Sequence, residues 1–344
     1  MSSSEKRGDT GLASMGQVFR RLLEMHGVDA VGIAREAGVD LSAVPGPTVR
    51  IEADKLDVVL LAAIPRIDDP AFGLQAARCW HPANLGVLGH AWLSSSTLRT
   101  GLKRMACYYS LVGQRSTTRI EETTQGIRVS FRRKSADPVV AAVIADIGIA
   151  LLLDMCRMNA GAALRPIAAS LRRSEPEGAE VYKRFLGCAV KFGADENAFI
   201  LSTKDVDRPL SSSNRQLAAV FDKMLAEELA RLDKHDVVAR CKAAVLEHLA
   251  SGEASAEDTA KQLHMSARTL QRKLADAEIT YIQLVDDTRK DLALRYIEDP
   301  HRSLTDITFE LGFSQPSAFT RAFRRWTGRS PSEYQDEHSR AVTA

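Results

Sequence analysis

The chain lacks the features that mark membrane-spanning and secreted proteins. Its longest apolar run, residues 139–153, is shorter than the roughly 20 residues that a bilayer-spanning helix needs, and Asp146 interrupts it. The first fourteen residues are polar and contain no apolar segment like that of a secretory signal. These absences predict a buried helix at residues 139–153, no membrane partner, and a flexible tail at residues 1–14.

Cysteine is scarce and scattered. None of the five cysteines has a C-x-x-C neighbour, which argues against a disulfide framework and a zinc cage and favours a reducing cytoplasm (Cys79, Cys107, Cys156, Cys188 and Cys241). His81 and His90 lie near Cys79, but their spacing matches no common metal-ligand pattern. A metal-sensing amino-terminal domain therefore stays only as an alternative, and no metal site is predicted.

Motifs of catalysis are absent as well. The chain has no Gly-rich phosphate loop, no H-E-x-x-H and no G-x-S-x-G, so the sequence predicts neither an enzyme nor a cofactor. A catalytic amino-terminal domain is kept as a second alternative. Trp80 and His81, in "CWHPANLG", are predicted to line an effector pocket, because an aromatic ring and an imidazole between helices can line a cleft.

Positive charge is not in excess overall, but it is clustered. The formal net charge is only +2, and nucleic-acid binding proteins are recognised by where their basic residues sit. One cluster holds Arg268, Arg272 and Lys273; the other holds Arg321, Arg324, Arg325 and Arg329. Such clusters are often only solvated faces, so their helical context decides how they are interpreted.

The first 210 residues have a mixed α and β pattern. Helical spacing predicts two short helices within residues 15–40 and more helices between residues 51 and 111. Alternation in "RSTTRIEETTQGIRVSFRR" predicts a hairpin that turns at Gly126, and "CAVKFGADENAFILST" is a second β-type stretch. An amphipathic helix, "RQLAAVFDKMLAEELARLDK", then serves either dimerisation or packing within its own domain.

Beyond residue 234, the pattern is helical and contains two similar corners. In the first, Ser255 caps a helix that ends near Leu263, and Ser266 caps a second helix. Leu270 and Leu274 point inward in that second helix. Its opposite face carries the residues predicted to contact DNA: Arg268, Gln271, Arg272 and Lys273.

The second corner repeats this arrangement about fifty residues later. Gly312 makes the turn, Ser314 caps the second helix, and Phe319 and Phe323 point inward. Predicted base readers are Gln315, Ser317, Thr320 and Arg321, whereas Arg324, Arg325 and Arg329 are predicted to contact phosphates. One helix of about 25 Å, ended by Pro300, joins the corners, so that the two reading helices enter successive major grooves about 34 Å apart.

At these residues the sequence resembles a known family, the AraC/XylS-type bacterial regulators. The resemblance covers residues 236–334 and rests on "LGF", "FTRAFRR" and "GRSPSEY"; Thr308 stands where the family usually has alanine. Residues 15–201 resemble, through softer patterns such as "DPAFGLQAAR", the arabinose-binding-type effector domain of the ornithine-utilisation and virulence regulator subgroup.

The resemblance implies an α+β effector-binding and dimerisation domain followed by an all-α domain with two helix-turn-helix motifs joined by a linker helix. The expected boundaries are 15–210 for the effector domain, 211–233 for a linker or dimerisation helix, 234–337 for the DNA-binding domain and 338–344 for a tail. The implied function is a cytoplasmic, ligand-responsive transcriptional activator. Its implied partners are double-stranded DNA, RNA polymerase, a small-molecule effector and a second copy of the chain.

Overall fold

The computed structural model describes residues 9–46, 48–232, 237–249, 255–277, 279–297 and 302–336. Contacts divide the chain into two compact units, Met1–Phe221 and Asp222–Ala344. The division falls inside one helix, Arg215–Leu232. The boundaries predicted at residues 210 and 233 therefore stay predictions, and the expected tail at residues 338–344 lies outside the described residues.

The described part of the first unit contains two sheets. The larger one has five strands in the order β3-β4-β7-β5-β6, and the smaller one pairs β1 with β2. The strands are β1 (Thr10–Leu12), β2 (Arg50–Glu52), β3 (Ser116–Thr123), β4 (Gly126–Arg133), β5 (Ala168–Ser170), β6 (Val190–Lys191) and β7 (Asn197–Ser202). The predicted hairpin is confirmed, since β3 and β4 are antiparallel in full register from Ser116↔Arg133 to Thr123↔Gly126.

Nine α-helices and three short 3₁₀ helices begin in the described part of this unit. The α-helices are α1 (Ala13–Met25), α2 (Ala30–Glu36), α3 (Ala53–Ala63), α4 (Val87–Leu93), α5 (Leu98–Val112), α6 (Pro138–Ala160), α7 (Glu180–Leu186), α8 (Thr203–Asp207) and α9 (Arg215–Leu232). The 3₁₀ helices are Ile64–Arg66, Phe72–Arg78 and Pro82–Leu85.

The expected flexible tail is too long. Residues 10–12 form β1, which pairs with β2, and α1 starts at Ala13. The sequence did not indicate this strand, because the segment is polar and because three residues are too few to show an alternating pattern. β2 and β5 are equally short, and the sequence pattern did not reveal them either.

Helix α6 is the apolar helix that the sequence predicted at residues 139–153. It is long and apolar enough to cross a membrane, but 78% of its most apolar 18-residue stretch is buried inside the protein. Asp137 caps its start by accepting the Val139 and Val140 N–H groups. The burial of nearly all faces identifies α6 as the central core helix of the first unit.

Helix α9 carries apolar side chains over a wide arc, and that arc is not uniformly buried. Leu225 is fully buried, whereas Leu217, Val220 and Met224 are 47%, 56% and 41% exposed. The exposed three follow i, i+3, i+7 spacing, so they form one stripe along the helix. The dimerisation role predicted for this helix stays a prediction.

The second unit is helical throughout its described residues. Its helices after α9 are α10 (Val237–His248), α11 (Ala256–Gln262), α12 (Ala267–Asp276), α13 (Tyr281–Tyr296), α14 (Leu304–Glu310) and α15 (Pro316–Thr327). One continuous core joins both predicted corners, since it includes Leu270 and Leu274 as well as Phe319 and Phe323. The predicted end of the linker helix at Pro300 lies outside the described residues.

Candidate nucleic-acid interface and effector cavity

The first corner has the geometry that its sequence predicts. Ser255 caps α11 by accepting the Asp258 N–H, and Ser266 caps α12 by accepting the Thr269 N–H. Between the helices, His264 takes a left-handed backbone conformation with φ of 57°. That conformation turns the chain within three residues, so α12 leaves the corner immediately after α11 ends.

Helix α12 separates a buried side from an exposed one. Leu270 and Leu274 are both completely buried. Arg268, Gln271 and Arg272 are exposed on the side facing away from the core, with i, i+3, i+4 spacing. Lys273 is also exposed, but it lies on the flank of this face. The helix therefore presents two guanidinium groups and one amide close to its amino-terminal end.

The second corner repeats the turn of the first. Gly312 has φ of 69°, and its N–H donates to the Phe309 carbonyl as the His264 N–H donates to Lys261. A Cβ at Gly312 would lie 2.1 Å from the carbonyl oxygen of Leu249, so only glycine fits there. In the first helix of this corner, Thr308 is fully buried, and its hydroxyl donates to the Leu304 carbonyl.

The predicted cap of the second helix is wrong. Ser314 is not the N-cap of α15; Gln315 occupies that position with extended backbone, its side chain makes no capping bond, and Pro316 follows at the first helical position. The reason is one additional residue in the turn. Buried Leu270 lies six positions after His264, whereas buried Phe319 lies seven positions after Gly312. Ser314 corresponds to Ser266 in the turn but falls one residue too early to cap.

Helix α15 has its basic face opposite an aromatic one. Phe319 and Phe323 are buried against each other with ring centroids 5.6 Å apart. The outward side carries exposed Ser317, Arg321 and Arg324. Phe313 and Trp326 pack against the same core. The aromatic rings thus fix the helix, and the outward guanidinium groups remain in solvent.

The remaining predicted contacts sit at the edges of this face. Gln315 is exposed at the helix entrance, and Thr320 is half-buried with its hydroxyl bonded to the Pro316 carbonyl. Arg325 forms an ion pair with Asp286 of α13 at 2.6 Å. Arg329 is exposed in the segment after the helix. Arg325 is therefore oriented by its own protein, while its 64% exposure leaves it accessible to a phosphate.

Sequence reasoning missed how α13 holds both corners. At its start, the Tyr281 hydroxyl donates to the Ser255 carbonyl and lies 2.9 Å from Thr259 Oγ1. Further along, Arg289 donates to the carbonyl oxygens of Leu311 and Gly312 at 2.9 and 3.1 Å. No local pattern in the sequence distinguishes Arg289 from a surface arginine.

Arg289 is specialised for this internal position. Its guanidinium carbon lies 4.7 Å from the centre of the Phe313 ring, which adds a cation–π contact to the two carbonyl bonds. Burial lowers the pKa of this arginine from its usual value. The charge therefore acts inside the protein, where it fixes the second turn, and it is not part of the DNA-facing surface.

The predicted effector residues have structural partners in the first unit. The Trp80 indole N–H donates to Asp154 at 2.7 Å, and His81 caps the 3₁₀ helix Pro82–Leu85 by accepting the Ala83 N–H. Neither residue lines the apolar cavity described next. Their proposed contact with an effector stays a prediction.

An apolar cavity lies elsewhere in the first unit. Its volume is about 60 Å³, and α1, α3, α5, α6, β1 and β4 all contribute to its wall. Phe19, Tyr109, Phe131 and Ile147 supply apolar surface, and Arg133 supplies a charged group. Burial raises the pKa of the Tyr109 hydroxyl, which keeps this side chain neutral. These residues are far apart in sequence, so no motif marks the cavity.

Comparison with known proteins places each unit in a recognised domain type. Residues 27–210, more than half of the chain, match the arabinose-binding domain of AraC transcription regulators. Residues 259–337 match a helix-turn-helix domain, which covers both corners except the start of α11.

Two curated relatives match over most of their length. The ornithine utilization regulator of Pseudomonas aeruginosa is 28% identical over 89% of this chain and 91% of its own. The transcriptional regulator VirS of Mycobacterium tuberculosis is 29% identical over 80% of this chain and 82% of its own. Among solved structures, the transcriptional regulator CdpR from P. aeruginosa matches 93% of this chain and 98% of its own at 19% identity, with a TM-score of 0.48.

Proposed function

Because the chain belongs to the AraC family of transcriptional regulators, we propose that its two corners read two successive major grooves of one DNA site. The observation that carries this proposal is the pair of second helices of the two corners, α12 and α15, whose exposed faces both hold arginines. Helix α13, about 24 Å long for its 16 residues, contacts both corners and fixes their relation. Successive grooves on one DNA face are about 34 Å apart.

The outward residues divide into two roles under this proposal. Arg268, Gln271 and Arg272 read bases from α12, and Gln315, Ser317, Thr320 and Arg321 read bases from α15, because arginine pairs bidentately with guanine and glutamine with adenine. The others contact phosphates: Lys273, Arg324, Arg325 and Arg329. The exposure of these side chains, apart from half-buried Thr320, supports the assignment.

Membership of the family supports the regulatory role that we propose for the chain. The chain acts in the cytoplasm as an activator without catalytic activity of its own. A small-molecule effector bound to the arabinose-binding-type domain shifts the population of a homodimer competent to bind DNA and recruit RNA polymerase. A reporter driven by the operator should lose expression when the protein is removed; unchanged or increased expression would contradict activation.

Replacement of single arginines on α15 tests the DNA-reading assignment. Arg321→Ala should weaken binding to the cognate site by about 1–3 kcal/mol and relax choice at one base pair. Arg324→Ala should weaken binding to cognate and random DNA alike and reduce the slope of log K against log salt by about one. Both are measured by fluorescence anisotropy on fragments from upstream of the protein's own and adjacent genes, at two or more salt concentrations.

Arg119→Ala is the matched control, since Arg119 is an exposed arginine on β3 of the first unit. It should leave affinity unchanged. Footprinting of the wild-type complex should show two protected patches one helical turn apart. Equal losses on cognate and random DNA for Arg321→Ala, or a single protected patch, would refute the corresponding part of the proposal.

A further inference from the structure

The larger sheet gathers basic residues at one of its edges. β4 and β5 are both antiparallel to β7, so their carboxyl ends lie at the same edge, beside the start of β3. A cleft of about 820 Å³ opens at this edge. Six of its lining side chains are cationic: Arg115, Arg132, Arg133, Lys134, Arg172 and Arg173.

Carboxylates balance only part of this charge. Arg115 pairs with Asp54 at 2.6 Å, Arg133 pairs with Asp57, and Arg173 pairs with Asp146. The other three cations of the cleft are exposed and have no acidic partner within the described ranges: Arg132, Lys134 and Arg172. The cleft therefore has an excess of positive charge that no ion pair among the described residues neutralises.

Arg133 connects the cleft to the apolar cavity, because it lines both spaces. Its side chain is only 8% exposed, and its guanidinium donates to Asp57. Its Nε–H is buried, and it finds no acceptor among the residues that the structure describes. A buried donor without an acceptor costs free energy, and an oxygen atom brought by a ligand would remove that cost.

The volume of the apolar cavity limits the size of any apolar group that a ligand could place there. At about 60 Å³, it has room for a short apolar group and not for a long chain. Gly113 lines this cavity with extended backbone, and a Cβ built there meets no atom within 4 Å. An added side chain at this position would fill space without backbone strain.

We propose that these two adjoining spaces form one effector site for a small amphipathic anion. Its carboxylate or phosphate lies among Arg132, Lys134 and Arg172, and its short apolar group enters the cavity past Arg133. This inference rests on the proposed effector-sensing role of the first unit and specifies the chemistry of its ligand. Neutral sugars lack the charge that the cleft selects, and cationic metabolites are repelled by it.

Calorimetric titration of the full-length protein at constant ionic strength tests the ligand class. The probes are hexanoate, hexan-1-ol, acetate, arabinose and inorganic phosphate. Hexanoate should bind saturably with one site per chain, at least tenfold more tightly than acetate or hexan-1-ol. Phosphate should bind weakly, and arabinose should give no saturable heat. Absence of saturable hexanoate binding, or equal affinity for acetate, would overturn the proposal.

Variants separate the two halves of the site. Lys134→Gln with Arg172→Gln should weaken hexanoate and phosphate binding at least tenfold, because it removes two of the cations that bind the anion. Both side chains are exposed and have no acidic partner among the described residues, so we expect the fold to stay intact. Arg119→Gln, an exposed position on β3 outside the cleft, is the control. Gly113→Val should weaken hexanoate at least tenfold and spare phosphate. The assigned location would be overturned if Arg119→Gln weakened hexanoate binding as much as the cleft variant does, or if Gly113→Val left hexanoate affinity unchanged.

Operator binding, measured without any probe, distinguishes this inference from the proposed function. The cleft variants should bind operator DNA like the wild type when no ligand is present. If hexanoate does not bind while Arg321→Ala still loses base preference, only the proposed effector chemistry is wrong. If operator recognition itself is absent, the proposed function is wrong, whatever the calorimetry shows.

Discussion

At the residue scale, the two helix-turn-helix turns adopt the same left-handed backbone conformation with different residues. His264 and Gly312 occupy the same turn position with φ of 57° and 69°. A residue with a Cβ is disfavoured in this region by roughly 1–2 kcal/mol, whereas glycine is not. The sequence revealed Gly312 as a turn residue, but nothing in it identified His264 as the equivalent position.

Reciprocal substitutions at these turns should therefore act in opposite directions. His264→Gly should leave stability unchanged or raise it by up to about 1 kcal/mol, because relief of strain competes with the entropy of the unfolded chain. Gly312→Ala should destabilise by about 3 kcal/mol or more, since its Cβ would also strike the Leu249 carbonyl oxygen.

Urea unfolding of both variants, followed by circular dichroism, measures this difference. Thr269→Ala in α12 serves to show the size of an ordinary change near the first turn, because Thr269 lies outside both turns. If Gly312→Ala were as stable as the wild type, the close approach of Leu249 to the second turn would be contradicted.

At the element scale, the exposed stripe of α9 is the feature that the folded chain does not explain. Leu217, Val220 and Met224 lie along one side with 41–56% exposure. Three large apolar side chains in a row on a helix surface are typical of a contact with another helix. Helical periodicity predicted the amphipathic character, but only the structure separated the buried arc from the exposed one.

We expect this stripe to pair with that of a second copy. Val220→Glu should raise the dimer dissociation constant at least tenfold, because a carboxylate would be desolvated in the contact. Glu121→Gln, an exposed position on β3 outside this helix, is the control. Sedimentation equilibrium measures both; a wild-type protein that stays monomeric at all concentrations would refute the dimer.

At the scale of the whole molecule, one buried carboxylate links the core helix to the rest of the first unit. Asp146 of α6 is 2% exposed, and its carboxylate accepts hydrogen bonds from Tyr182 and Arg173. Burial raises its pKa to about 6, although the Arg173 charge and the Tyr182 hydrogen bond oppose that shift. The carboxyl group is therefore ionised at neutral pH against a desolvation cost.

The pH dependence of stability follows from the sign of this shift. A carboxyl whose folded pKa exceeds its unfolded value of about 3.9 stabilises the fold below that value, and the contribution is lost as pH rises through about 6. The wild-type unfolding free energy should lose up to about 3 kcal/mol from this group between pH 4 and 7.

Asp146→Asn should remove this part of the pH dependence, because an amide does not titrate. The measurement is the difference in unfolding free energy between wild type and variant at several pH values, which cancels the other titrating groups. A difference that stays constant from pH 4 to pH 7 would show that the Asp146 pKa is not raised.

The sequence by itself determined the elements that local chemistry specifies. Capping serines, helical spacing and the hairpin turn at Gly126 predicted α11, α12, α14, β3, β4 and the buried α6, because each depends on residues close in the chain. The same periodicity placed Arg268 and Arg321 on outward faces. It failed at Ser314, where one additional turn residue moved the helix start, and at β1, which is too short for a pattern.

Only the tertiary structure decided what distant residues do together. Arg289 donates hydrogen bonds to the turn carbonyls of residues 22 and 23 positions further along the chain. Asp286 pairs with Arg325, which lies 39 positions away. The basic cleft exists because strand pairing brings residues 115, 132–134 and 172–173 to one sheet edge. Such contacts arise from the order and register of elements, which local spacing does not encode.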